Sequence, residues 1–167
     1  KKRTMGQHVD RNNQFENIAK IKQKFLDSRQ PVISMDTKKK ENLGNFYRDG
    51  VTDATEPTVV NDHDFASAGN GKMIPHGIYD ITKNEVSIHL NASSDTSELA
   101  CESIGLWWTE QGILDYPEAT ELLVLCDGGG GNNANHYIFK EDLQHLSNQL
   151  GIRIRICHYP PYCSKYN

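Results

Sequence analysis

One continuous apolar run limits the fold of this chain more than any other feature. Residues 122–126 read Leu-Leu-Val-Leu-Cys without a polar interruption, and Asp127 follows them. A run of this length and composition is typical of a strand buried on both faces, which occurs in sheets that are covered by helices on each side. It is far shorter than the roughly 20 apolar residues that a membrane-spanning helix needs. The sequence therefore predicts an α/β domain and not an integral membrane protein.

The elements around this strand predict a mixed sheet. Their order is a helix (10–29), a strand (31–36), an irregular insertion (about 41–75), two hairpin strands (77–82 and 85–90), a helix (94–112), the buried strand (121–126), a helix (135–150) and a last strand (152–158). A hairpin followed by right-handed strand-helix-strand crossovers gives a five-stranded mixed sheet with helices on both faces. This is the RNase H-like arrangement, although a flavodoxin-like sheet fits the second half equally well. We expect residues 1–30 to form a basic amphipathic helix region and residues 31–167 to form the core domain.

Charge is distributed unevenly along the chain. The formal net charge is −4, which argues against a protein whose whole surface binds nucleic acid. Residues 1–40 nevertheless hold eleven basic and four acidic residues, a net +7, whereas the rest of the chain carries −11. This asymmetry indicates either a polyanionic partner at the N-terminal end or a solvated helix face.

The N-terminus and the cysteines indicate a reducing compartment. Residues 1–3 are basic, but a polar stretch follows them instead of the apolar segment of a signal peptide, so we expect a cytoplasmic protein. The four cysteines lack paired Cys-x-x-Cys spacing and are expected to be free thiols rather than zinc ligands; they are Cys101, Cys126, Cys157 and Cys163.

Two carboxylates are the strongest candidates for chemistry. Asp36 ends the strand 31–36, and Asp127 follows the buried run, so each lies at the carboxyl end of an apolar strand, where open α/β sheets place their sites. If the two strands are neighbours, the two anions lie close together and are best tolerated when a divalent cation neutralises them. Mg²⁺ at such a site activates a water or a 3′-hydroxyl for attack on a phosphodiester. The alternative is that each aspartate only caps its strand.

Other segments near these carboxylates allow two interpretations each. Gly128–Gly131 lacks the residues of a phosphate-binding loop and is expected to let the backbone turn tightly beside Asp127. Lys38, Lys39 and Lys40 follow Asp36 and suit either a DNA backbone that passes over the site or a solvated turn.

Two further residue pairs are candidates for a role. Cys157 and His158 could be metal ligands, but a histidine whose hydrogen bonds are satisfied within the fold is favoured. Trp107 and Trp108 are expected to be partly core and partly half-exposed.

Four separated motifs resemble those of a known family. They are Val32–Phe46, Ile74–Asp80, Ala119–Asn132 with its Cys-Asp-Gly-Gly-Gly core, and Cys157–Pro161 followed by Ser164–Asn167. In this order they resemble the ISAzo-type bacterial insertion-sequence transposases, which are similar to mariner-like DDE transposases with an RNase H-like core. Cys126 and the pair Tyr162-Cys163 depart mildly from the usual motif residues.

The resemblance implies a metal-dependent DNA transposase. It implies that Asp36 and Asp127 are two members of a catalytic metal-binding triad for Mg²⁺ or Mn²⁺, with two ions in the full-length enzyme. Lys38, Lys39, Lys40 and Lys165 are then expected to contact DNA, both transposon ends and target. A homodimer of the full-length protein is compatible with the resemblance, and no membrane partner is expected.

The third acid of the triad leaves two functions open. In the family a Glu follows the last motif by about three residues, and this sequence stops at Asn167. The chain is therefore expected to be either the catalytic-core fragment of a DNA transposase or a catalytically inactive remnant that binds DNA or protein. The reading frame beyond Asn167 discriminates between them, because a Glu within a few codons supports the enzyme and a stop codon supports the remnant.

Overall fold

The computed structural model of the chain describes residues 9–51, 53–92, 96–127 and 137–160. Its helices are α1 (Arg11–Asp27), α2 (Ser97–Trp107), α3 (Ile113–Asp115) and α4 (Tyr137–Leu150). Its strands are β1 (Val32–Thr37), β2 (Glu41–Leu43), β3 (Gly71–Asp80), β4 (Glu85–Asn91), β5 (Glu121–Cys126) and β6 (Arg153–His158). A π-helical segment (Trp108–Gly112) joins α2 to α3, and a 3₁₀ turn (Ala66–Ala68) precedes β3.

The strands form one mixed sheet with the expected topology. The order is β2-β3-β1-β5-β6, and β4 pairs with β3 along the edge opposite to β1. β3 is antiparallel to β1, β2 and β4, whereas β1, β5 and β6 are mutually parallel. The antiparallel hairpin beside β1 selects the RNase H-like arrangement over the flavodoxin-like one. The prediction of this fold class is confirmed, with β2 as a sixth strand.

Alternating side chains of the central strands pack into two cores. Ile33 and Met35 of β1 pack on the side of α2 and α4, together with Leu122 and Val124 of β5. The residues between them face α1, where Val32, Leu123 and Leu125 pack against Ile18 and Phe25. Because strand side chains alternate between faces, β1 and β5 supply apolar groups to both cores. The predicted placement of helices on both faces is confirmed.

The insertion is more ordered than its composition suggests. β3 begins at Gly71, inside the segment that we expected to be irregular, and β2 pairs with its first three residues. Phe46 is buried, and its ring stacks on His63 with 5.6 Å between the ring centroids. Gly69 permits this packing, because a Cβ there would lie 2.7 Å from the Phe46 ring. One aromatic side chain thus anchors a segment that lacks a regular period.

The helix after the hairpin begins and ends differently from a simple α-helix. Thr96 caps α2, because its hydroxyl accepts a hydrogen bond from the backbone N–H of Leu99 at 3.3 Å. At the other end the π-helical segment replaces the last α-helical turn that we expected. Trp107 and Trp108 are both buried, so the expectation that this pair would be partly half-exposed is wrong.

None of the helices among the described residues is long and apolar enough to cross a bilayer.

Candidate metal and DNA site

The two candidate carboxylates lie at the ends of neighbouring parallel strands. Met35 of β1 and Cys126 of β5 are register partners, and Asp36 and Asp127 are the residues that follow them. Neighbouring strands lie about 4.8 Å apart, so the backbone brings the two aspartates side by side. The predicted adjacency of the two strands is confirmed.

Both aspartates belong to the face of the sheet that α1 covers. Val32 and Asp36 are four residues apart in β1. Asp127 directly follows β5, four residues after Leu123, where a backbone hydrogen bond from Tyr159 to Cys126 continues the strand pairing. Strand alternation therefore places each aspartate on the side of its apolar partner. Val32 and Leu123 are both in the core beneath α1. Asp36 and Asp127 are exposed, which puts them beyond the end of that core. The arrangement presents two carboxylates to solvent at one point of one face.

The strand next to Asp36 leaves space beside its carboxylate. Asp36 pairs with Gly77 of β3, and a Cβ placed on Gly77 would meet only the Asp36 carbonyl oxygen, at 3.8 Å. Gly77 has an ordinary backbone conformation, so its lack of a side chain matters here for space rather than for flexibility. An ion or a phosphate can approach Asp36 from the side of β3.

On the opposite side of Asp127, the residue that follows β6 connects the end of β5 to α1. The backbone N–H of Tyr159 donates a hydrogen bond to the carbonyl of Cys126 at 2.9 Å, which continues the β5–β6 pairing beside Asp127. The Tyr159 ring lies 6.5 Å from that of Phe15 in α1, and the Arg11 guanidinium lies 6.0 Å from the Phe15 ring centroid. The amino end of α1 therefore lies beside the carboxylates.

The nearby cysteines lie in surroundings that favour the neutral thiol. Burial raises the pKa of the Cys126 thiol to about 12, and the negative charge of Asp127 adds to this effect. Burial also raises the pKa of Cys157. The Cys126 side chain packs in the core on the side of α2 and α4, away from the face that α1 covers. Cys101, Cys126 and Cys157 are free thiols, as expected.

The structure separates His158 from the carboxylates. β6 side chains alternate, and Cys157 packs toward α1 while the His158 ring meets Phe139 of α4 edge-on, with 6.4 Å between the ring centroids. His158 thus lies on the opposite face from Asp127, which supports its interpretation as a histidine satisfied within the fold. Among the described residues there is no group of three or more His, Cys, Asp or Glu side chains that could hold a metal ion.

The three consecutive lysines follow the end of β1. β1 ends at Thr37, and the backbone N–H of Lys38 still donates a hydrogen bond to the Pro75 carbonyl of β3 at 3.0 Å. Lys38 pairs with Glu41 at 2.8 Å, and this contact, together with Arg48, lowers the pKa of Glu41. Lys39 and Lys40 are exposed. Two cations therefore face solvent a few residues after Asp36.

Several predicted features lie outside the described residues. They are the glycine run Gly128–Gly131, the pair Tyr162-Cys163 and the DNA-binding candidate Lys165.

Sequence reasoning missed the immediate neighbours of the carboxylates. Gly77 and Tyr159 lie within motifs that the sequence analysis singled out, but nothing local shows that they border the two aspartates. Phe15 and Arg11 carry only the signal of an amphipathic helix. Their proximity depends on which strands pair and where α1 docks.

Comparison with known proteins shows a family and a set of similar folds. A family model described as the Rhodopirellula transposase DDE domain matches residues 1–167. No curated protein sequence matches the chain.

Three solved structures of Mos1 transposase are similar to this fold. The Mos1 transposase paired-end complex with left transposon end is 14% identical, with 99% of this chain and 48% of that chain covered and a TM-score of 0.54. The pre-cleavage Mos1 transpososome is 10% identical, with coverages of 99% and 49% and a TM-score of 0.54. The Mos1 Strand Transfer Complex is 13% identical, with coverages of 96% and 48% and a TM-score of 0.50. The chain thus spans about half the length of the transposase chains that it resembles.

Proposed function

The chain belongs to the Rhodopirellula family of transposase DDE domains, and on this premise we propose that it is the catalytic core for metal-dependent DNA cleavage and strand transfer. The observation that carries the proposal is the position of Asp36 and Asp127 at the adjacent ends of β1 and β5, exposed on one face of the sheet. Two adjacent carboxylates repel each other, and a bound cation relieves that repulsion.

Asp36 and Asp127 suit a hard divalent cation. Carboxylate oxygens are the donors that Mg²⁺ and Mn²⁺ accept, and the neighbouring Cys126 thiol is buried on the other face of the sheet. We propose that the two aspartates hold Mg²⁺ or Mn²⁺, with two ions in the full-length enzyme. When bound, such ions lower the pKa of an attacking water or 3′-hydroxyl and neutralise charge that develops on the phosphodiester.

The chain's own residues position the DNA around this site. Gly77 leaves the approach to Asp36 open, so a phosphate can reach the carboxylates from the β3 side. Lys39 and Lys40 can form ionic contacts with phosphates of the DNA backbone, and these contacts do not depend on the base sequence. We assign Lys38 and Lys165 to the same role. The substrates under this proposal are transposon ends and target DNA, handled in the cytoplasm by a homodimer of the full-length protein.

Metal binding tests the assignment of the two aspartates. Titration calorimetry with Mn²⁺ should show weak binding by this chain, because two carboxylates hold an ion more loosely than three. Asp36→Asn and Asp127→Asn should each abolish that binding. In the full-length protein either change should slow strand transfer by at least about 100-fold, because each removes a direct ligand.

Asp53→Asn provides the control, since Asp53 is an exposed acid in the insertion. It removes the same charge at a position outside β1 and β5 and should leave Mn²⁺ binding unchanged. Unaltered Mn²⁺ binding in both the Asp36 and the Asp127 variants would remove these residues from the metal site. Retained Mn²⁺ and DNA binding without strand transfer in the full-length protein would instead indicate an inactive remnant.

A further inference from the structure

A second cationic feature lies away from the carboxylates, in a cleft between α1 and the edge strand β6. The cleft has a volume of about 310 Å³ and is lined by Lys24, Glu121, Arg153, Ile154 and Arg155. Three of these five side chains are cationic and one is anionic. Nothing in the proposed reaction uses them.

The charges in this cleft are only partly compensated. Arg153 forms an ion pair with Glu121. Lys24 and Arg155 are exposed, and neither has an ion-pair partner in the part of the chain that the structure describes. Two uncompensated cations that share one small cleft repel each other, so an anion that bridges them lowers the electrostatic energy.

The chemistry of these side chains favours a phosphate. The arginine guanidinium presents parallel N–H donors that match two oxygens of one phosphate, and the lysine ammonium adds a point charge from the opposite wall. Arg155 extends from the sheet and Lys24 extends from the last turn of α1, so the two donors approach from different elements. A tetrahedral anion with several oxygens can contact both.

The cleft lies on the same face of the sheet as the carboxylates. Arg155 is the register partner of Leu123, which packs beneath α1, and Asp127 lies four residues further along β5. Four residues of strand span about 13 Å. Phosphates of one DNA strand advance about 3.4 Å along the helix axis, so this offset corresponds to about four nucleotides.

A further lysine extends the cationic row toward the carboxylates. Lys20 is exposed and precedes Lys24 by four residues in α1, so the two share one face of the helix. The amino end of α1 lies beside Tyr159, next to Asp127, which makes the direction from Lys24 to Lys20 the direction toward the site.

We propose that the cleft of Lys24 and Arg155 binds a phosphate of the DNA backbone, about four nucleotides from the phosphodiester that would react at the metal site of Asp36 and Asp127. The inference rests on the proposed function for the identity of the ligand. It gives the domain a second backbone contact on the α1–β6 side, in addition to the lysines that follow β1. The contact is independent of sequence and holds the DNA in line with the carboxylates.

Inorganic phosphate tests the chemistry of the cleft without DNA. Thermal unfolding of this chain in phosphate, compared with chloride at equal ionic strength, should show a rise in Tm of about 3–6 °C at a concentration tenfold above Kd. The double variant Lys24→Gln/Arg155→Gln should lose most of this rise. Lys22→Gln/Lys140→Gln removes two charges elsewhere and should keep it. An equal rise in all three proteins would overturn the cleft as an anion site.

The salt dependence of DNA binding identifies the source of the phosphate. On a duplex of random sequence, the slope of log affinity against log salt should fall by about 0.9 in Lys24→Gln/Arg155→Gln, which corresponds to one lost phosphate contact. An unchanged slope, with the phosphate-dependent rise in Tm lost, would assign the cleft to a free phosphate compound and overturn the DNA contact. Asp36→Asn separates this outcome from failure of the proposed function, because it should abolish Mn²⁺ binding and leave the phosphate-dependent rise intact.

Discussion

At the scale of single residues, the one buried acid among the described residues lies at the opposite end of the β1–β3 pairing from the candidate site. Asp80 is buried, and both of its carboxylate oxygens accept the Tyr116 hydroxyl, at 2.9 and 2.8 Å. The backbone N–H groups of Thr82 and Lys83 also donate to it, at 2.9 and 3.0 Å. These bonds tie the β3–β4 turn to the segment before β5, so the role of Asp80 is structural.

Removing the Tyr116 hydroxyl should destabilise the fold. Tyr116→Phe takes a donor from a buried carboxylate, and we expect the free energy of unfolding in urea to fall by about 1.5 to 3 kcal/mol at pH 7. Tyr79→Phe is the control, because the Tyr79 hydroxyl donates to Asn84 at 2.8 Å on an exposed surface. That change should cost no more than about 0.5 kcal/mol. Equal losses in the two variants would contradict the structural role of the buried bond.

The same pair predicts a pH dependence of stability. Burial raises the pKa of Tyr116 above its usual value, and the hydrogen bond to Asp80 raises it further. A raised folded-state pKa means that the neutral phenol contributes stability below about pH 10, which is lost as the pH rises toward the folded-state value. The stability difference between wild type and Tyr116→Phe should therefore shrink above about pH 10, measured by urea unfolding at each pH. A constant difference from pH 8 to 11 would show that the phenol does not titrate in this way.

At the scale of elements, the π-helical segment explains the burial of both tryptophans. An α-helix turns 100° per residue, so adjacent residues face different directions, and the wider turn of a π-helix changes where the following side chains lie. Trp107 and Trp108 pack with ring centroids 6.1 Å apart, and Gly112 lies against them. A Cβ on Gly112 would be 2.7 Å from the Trp108 ring and 3.1 Å from the Trp107 ring.

Gly112→Ala should therefore destabilise the domain by about 1 to 3 kcal/mol, because the two rings must move to make room. Gly105→Ala in α2 is the matched control. Its Cβ would meet only the Leu146 Cδ1 at 3.2 Å, the end of a flexible side chain, and the change gains helix propensity. We expect it to alter the free energy of unfolding by less than about 1 kcal/mol. A neutral Gly112→Ala variant would show that the rings can separate without cost.

The elements also show where sequence patterns lose their power. Hydrophobic periodicity predicted a helix up to about residue 112, but it does not distinguish the wider π-helical turn at Trp108–Gly112 from an α-helical one. The sequence pattern also missed the beginning of β3 at Gly71. Residues 71–73 pair with β2, and a three-residue strand has too few positions to show an alternation.

At the scale of the whole molecule, the unequal charge predicts how DNA is held. The net +7 of residues 1–40 attracts DNA phosphates, while the −11 of the rest of the chain repels them. DNA contact should therefore be confined to one face of the domain, and the affinity should fall as salt is added. Neutralising Lys38, Lys39 and Lys40 together should flatten the slope of log affinity against log salt by about two units. The ion pair of Lys38 with Glu41 makes Lys39 and Lys40 the larger contributors.

A control for this triple change neutralises Lys22, Lys83 and Lys140, which alters the net charge equally at other places. Fluorescence anisotropy of a labelled duplex across a salt series measures both slopes. If the Lys38–Lys40 variant keeps the wild-type slope and affinity, these lysines are solvated turn residues. DNA binding would then depend on other surfaces of the protein.

The local character of each central strand can be read from the sequence alone. The uninterrupted apolar run of β5 predicted burial on both faces, and the apolar strand 31–36 predicted that Asp36 lies at a carboxyl end, because these properties depend only on the order of side chains along one strand. The fold class followed from the order of elements, since few connections between them are compatible with right-handed crossovers.

Which side chains meet across the sheet depends on the three-dimensional packing. The pairing of β1 with β5 brings Asp36 beside Asp127, and the docking of α1 brings Phe15 to Tyr159 and Lys24 to Arg155. These pairs are separated by about 90 to 145 positions in the chain. Contacts of that kind depend on the choice of neighbouring strand and on how one helix packs across several strands. The physical reason is that burial of apolar surface stabilises the folded domain as a whole, wherever that surface comes from along the chain. A sequence pattern reports only the period of each segment.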